Sequence, residues 1–164
     1  MTDPISSVDP SAEIDAVFAR LQTLESTVDG KTVGKVYDGI PAGTELPVNA
    51  LGKKLPYRDY EPGGTIPSGQ GRTVGGNEQQ QPHVWTFQIH HFGSTRKLAR
   101  DLAIQTERSL VGWKPTENAS TISGVFFNMY DETAKNGENL GWIATRFYEC
   151  VLGLTPDFSL TIPD

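Results

Sequence analysis

Apolar residues recur at three- and four-residue steps through Ile14, Val17, Phe18, Leu21, Leu24 and Val28, the stripe of an amphipathic helix with one face to bury. Asp9 or Ser11 can cap this helix, Pro10 suits its first turn, and Asp29-Gly30 marks its expected end. From Lys31 to Tyr60 the pattern turns extended. Thr32-Val33, Val36-Tyr37 and Leu55 to Tyr60 predict two or three short strands around a turn-rich patch at Gly39 to Pro47. Residues 61–82, EPGGTIPSGQGRTVGGNEQQQP, carry little apolar content and predict a long mobile loop.

His83 to Phe92 alternates strictly, with Trp85, Phe87, Ile89 and His91 on one side and Val84, Thr86, Gln88 and His90 on the other, the signature of a strand. Ser94 or Thr95 can then cap a second helix running to about Val111, with Leu98, Ala99, Leu102, Ala103, Leu110 and Val111 as its buried face. Gly112 suits the left-handed position after a helix, Trp113 can fold back onto the last turn, and Pro115 forbids continuation. Ile122–Tyr130 and Gly141–Leu152 predict a hairpin joined by the polar stretch DETAKNGENL. This order of elements predicts an α+β fold: a single domain with a mixed or antiparallel sheet and two main helices packed on it. The domain should span 11–155, between a flexible N-terminus (1–10) and a C-terminal tail (156–164).

Composition narrows the function classes. Seventeen glycines and 11 prolines among 164 residues argue against a helical bundle. A formal charge of -6 opposes a protein that grips nucleic acid through phosphates, and Lys53-Lys54 and Arg96-Lys97 are the only adjacent basic pairs. Cys150 is the single cysteine, so no intrachain disulfide can form and a reducing compartment fits. No stretch approaches 18 apolar residues, and the start MTDPISSVDPSAE lacks the apolar core of an export signal, so neither export nor membrane insertion is expected.

Spacing decides most of the candidate chemistry. Gly69 to Gly75 lacks the G-x-G-x-x-G pattern, and the position that would complete a P-loop with Gly30-Lys31-Thr32 holds Glu25. His83 and His91 share a side but lie about 26 Å apart along a strand, and His90 faces the other way, which argues against a shared metal. There is no G-x-S-x-G, and Cys150 within a strand reads as an inert buried thiol. Asp59 with Glu61, and Asp131 with Glu132, fall in turn-rich sequence, where solvated charge is the default. Arg96, Lys97 and Arg100 break a local rule. They occupy the first turns of the second helix, where the macrodipole disfavours cations, with Asp101 alone to offset them. They form either a solubilising face or a socket for an acidic partner.

The whole pattern, with HVWTFQIHHF running into TRKLARDLAIQTERSLVGW and followed by ISGVFFNMY and LGWIATRFYECVL, resembles the tail terminator (tail completion) family of long-tailed bacteriophages over roughly residues 11 to 152. The resemblance rests on element order rather than on a diagnostic motif. It implies a small α+β subunit forming a homohexameric ring on the head-proximal end of the tail tube, where the ring stops tube growth and offers a docking surface to the head–tail connector protein. It implies no enzymatic activity, no cofactor and no metal, a place in the virion tail after assembly in the host cytoplasm, and genomic DNA passing through without specific binding. Arg96, Lys97 and Arg100, with Arg72, Gln79 and Gln80 of the Gly-rich segment, are the candidate interface residues. A head–tail connector or head-completion protein is the alternative within the same machinery, and a small cytoplasmic enzyme the alternative outside it.

Overall fold

The structure, a computed structural model, describes residues 9–41, 43–67, 82–133 and 136–153. Helix α1 spans Ser11–Gln22. Asp9 Oδ1 accepts the Ser11 backbone N–H at 3.0 Å, which satisfies a donor that the first turn leaves open. Val17 and Leu21 are fully buried, and Ile14, Phe18 and Leu24 pack at the margin of the core. The helix stops well short of Val28. Ser26–Val28 (β1) instead pairs antiparallel with Lys31–Val33 (β2). Asp29 and Gly30 form the two-residue turn, with φ of 51° and 73°. A tight hairpin needs left-handed backbone at both positions, which Asp-Gly supplies. β-Branched Thr27, Val28, Thr32 and Val33 favour the extended state over another helical turn.

Five strands form the main sheet in the order β3-β4-β5-β7-β6. They are Lys35–Asp38 (β3), Tyr57–Pro67 (β4), His83–Gly93 (β5), Ser123–Thr133 (β6) and Asn139–Leu152 (β7). β3 runs parallel to β4, and every other neighbouring pair is antiparallel, so the sheet is mixed. Residues 61–67, expected in a loop, belong to β4. β3 ends opposite Tyr60, so the remainder of β4 is an edge. Pro62 and Pro67 therefore lie where a missing donor costs no ladder bond on that side. A bulge between Pro62 and Thr65 absorbs Gly63 and Gly64, and the Gly63 carbonyl accepts the Trp85 indole N–H at 3.0 Å. β6 and β7 likewise run past their expected ends, to Thr133 and from Asn139.

Helix α2, Arg96–Leu110, starts at Thr95, whose side chain accepts the Leu98 N–H. Gly112, at φ 84°, takes the left-handed position after it. Ala99, Leu102, Ala103 and Leu110 are buried as expected, but Leu98 and Val111 are exposed and Thr106 takes a core position. Ala99 and Ala103 lie against Ala144 of β7. These small side chains bring α2 close to the sheet, so that a Cβ on Gly93 would overlap the Ala99 backbone nitrogen. Both helices cover the sheet face formed by Tyr60, Trp85, Phe87, Ile89, Tyr148 and Cys150. Burial pushes the Cys150 thiol up to about 11, consistent with an inert core thiol.

A polar cluster lies inside this apolar layer. Arg58 is fully buried. Its guanidinium donates to Thr106 Oγ1 at 2.8 Å, to the Gly34 carbonyl at 2.7 Å and to Gln105 Oε1 at 2.7 Å. His91 donates from Nδ1 to the Ala144 carbonyl at 2.8 Å, so Nε2 accepts the Thr106 hydroxyl, also at 2.8 Å. Burial lowers the Arg58 pKa to about 10, leaving it charged at neutral pH, and lowers that of His91 to about 3, leaving it neutral.

Candidate interaction surface

Strand alternation sends every second side chain to the sheet face that no described helix covers. Four strands contribute two rows there. Tyr57, Phe92, Ile143 and Tyr130 make one, and Asp59, His90, Thr145 and Asn128 the next. Tyr57 stacks on Phe92 with ring centroids 5.0 Å apart. Burial, followed by the charge of Glu132, pushes the Tyr57 phenol up to about 12. Tyr57, Asp59, His90, Phe92, Tyr130 and Ile143 line a cleft of about 170 Å³, below the size of ordinary small-molecule pockets.

The polar row is internally connected. His90 Nδ1 lies 2.7 Å from Thr145 Oγ1, and its Nε2 lies 3.3 Å from Glu61 Oε2. Gln88 also donates to Glu61. Burial raises the Asp59 pKa, the nearby Glu61 raises it further, and His90 and the Gly39 backbone N–H pull it back. Asp59 Oδ1 is buried with no hydrogen-bond partner among the described residues. The expectation that Asp59, Glu61, Asp131 and Glu132 lie in turns is thus corrected: all four sit on strands, and Asp59 and Glu132 are partly withdrawn from water.

The outer edge of the sheet is apolar. β6 has β7 on one side and no strand on the other among the described residues. Val125 and Phe126 are 58% and 56% exposed, and Phe127, Tyr130 and the neighbouring Phe147 of β7 are also exposed. Phe126 and Tyr130 lie on the uncovered face, with Phe127 and Met129 on the helix side. A long apolar edge is a template for strand pairing unless something covers it. The opposite edge is partly closed. β3 has four residues, and the Glu25 carboxylate accepts the Val36 N–H at 2.9 Å.

The candidate cations of α2 stay together but differ in surroundings. The Arg96 guanidinium stacks on Trp142 of β7, 5.0 Å from the ring centroid. Lys97 pairs with Asp101 at 2.6 Å, and Arg100 is exposed. Arg72, Gln79 and Gln80 lie outside the described residues. Of the histidines, His83 and His91 are buried and His90 faces the uncovered side.

Replacing Arg96, Lys97 and Arg100 together by Glu exchanges an unfavourable helix-dipole contact for a favourable one. It also removes the Trp142 stack and sets a carboxylate beside Asp101. These terms are each a few tenths to about 1 kcal/mol. Thermal melts should therefore move by no more than about 3 °C, while association measured by sedimentation weakens. A collapse of the melt together with association would identify these side chains as structural.

The sequence missed the uncovered face because its members come from four strands. Phe126-Phe127 is the one local signal. Two adjacent rings must point to opposite faces, so both sides of that strand carry apolar groups. No protein-family model matches the chain, and no curated protein sequence matches it.

Proposed function

We propose that this protein is a structural subunit that self-associates into a ring at the head-proximal end of a phage tail tube, halting tube growth and presenting the surface on which the head docks. The exposed apolar β6 edge supports this reading. An edge of this kind suits a subunit that gains its partner on assembly. The sheet's two edges differ in length and chemistry, which favours a heterologous contact, the kind that closes into rings. The resemblance in element order supplies the location. Because each ring of a tail tube exposes the same acceptor surface as the last, the tube has no intrinsic end, and a terminator must match it on one face and differ from it on the other.

Deleting the gene in its phage should leave filled heads without joined tails, together with tubes of excess length. Purified protein added to such an extract should decorate tube ends in negative stain and restore joining. Normal-length, head-attached tails in the deletion would refute the proposal, and tails of correct length that fail to join would reassign the protein as a connector.

A further inference from the structure

We propose that residues 157–162, Asp-Phe-Ser-Leu-Thr-Ile, add as an antiparallel strand to the β6 edge of a second copy of this chain. Self-association is all that this shares with the terminator reading.

Three observations converge. First, the β6–β7 ladder is bulged at Val125 of β6 and at Leu140 of β7. Phe126–Glu132 is left as a regular edge of about the length of a six-residue strand. Its apolar side chains lie on both faces, Phe126 and Tyr130 on one and Phe127 and Met129 on the other. An incoming apolar row can therefore be matched on either side.

Second, the sequence beyond β7 reads GLTPDFSLTIPD. Phe158, Leu160 and Ile162 alternate with Ser159 and Thr161, the period of a half-buried strand. Pro156 and Pro163 bracket the segment and no proline interrupts it, as strand addition requires.

Third, reach excludes antiparallel addition to the chain's own β6. β7 leaves the sheet at the Ser123 end of β6, since Glu149 is registered with Ser123. An antiparallel strand on the chain's own β6 would have to begin near Thr133, roughly 33 Å away at 3.3 Å per residue. The five steps from Leu152 to Asp157 cover at most roughly 18 Å. A second copy carries no such restriction. β3 of a neighbour is a poor substitute, because it is short and its Val36 N–H is already engaged by Glu25.

The test compares the full chain with a chain ending at Gly153 and with the full chain carrying Leu160→Pro. Melting temperature and circular dichroism are recorded for both variants and should match the parent, which separates loss of association from loss of folding. Sedimentation of the full chain over a wide concentration range should show self-association. Both variants should raise the half-association concentration by at least about tenfold. Hydrogen exchange at residues 126–132 should slow with concentration in the parent and stay fast in both variants. Undiminished association of the chain ending at Gly153, or a monomeric parent whose β6 amides are protected at every concentration, would overturn the proposal. Association lost in both variants, in a protein that nevertheless leaves tail tubes bare, would support this inference while removing the terminator reading.

Discussion

A chain carrying Gly93→Ala is expected to lose about 3 kcal/mol of stability or more, a fall of about 6–12 °C in melting temperature for a domain of this size. The added Cβ would overlap the Ala99 nitrogen and lie 2.8 Å from the Leu98 carbonyl carbon. Backbone cannot rotate away as a flexible side-chain end can. Helix α2 is held at this end by the Thr95 cap, the Arg96–Trp142 stack and the Ala99–Ala103–Ala144 contact. Relief therefore means lifting the helix start off β5. Gly112→Ala supplies the contrast. That position has positive φ, but a Cβ added there would meet nothing within 4 Å, so the cost should stay near the 1–2 kcal/mol of a left-handed non-glycine residue. Equal melting of the Gly93→Ala chain and its parent would mean that α2 does not sit this close to the sheet.

Thr106→Val is expected to cost about 2–4 kcal/mol, although it preserves shape. It leaves Arg58 Nε and His91 Nε2 buried with neither a donor nor an acceptor in place of the hydroxyl, at about 1–3 kcal/mol for each unsatisfied group. The same cluster sets a pH dependence in the parent. His91 titrates near 3 when folded and near 6.5 when unfolded. Below about pH 6.5 the unfolded chain therefore binds a proton that the folded one refuses, and stability falls with pH down to about 3. The slope approaches about 1.4 kcal/mol per unit, giving about 2 kcal/mol lost by pH 5. Asp59 works in the opposite sense. Its raised folded pKa means that the folded chain holds a proton more readily, which returns some stability as pH falls through the carboxylate range. Denaturant titrations at pH 7.5 and pH 5 should show the loss, and His91→Asn should reduce it. Stability that is flat between those values would contradict the buried neutral imidazole.

Much of the fold is legible locally. The strict alternation of His83–Phe92 and the Thr95 start of α2 need no partner to be read, because side-chain period and an end-on hydroxyl are properties of a few consecutive residues. Two local signals mislead. Asp29-Gly30 has the look of a helix end, since apolar spacing continues to Val28, yet those residues turn a hairpin. EPGGTIP has the look of a loop because glycine and proline usually break strands, yet β4 tolerates both where β3 has ended.

The α+β class, the two main helices with most but not all of their buried residues, and the absence of a nucleotide-binding fingerprint followed from the sequence by itself, since each depends on spacing within one segment. Only the tertiary structure decided that β6 lies at the sheet's edge with Val125, Phe126 and Phe127 exposed. It alone set Asp59 of β4 beside His90 of β5, and it alone enclosed Arg58 with His91 and Thr106. Periodicity states that a side chain prefers burial but not which strand will lie alongside, and strand order is settled by contacts between residues far apart in the chain.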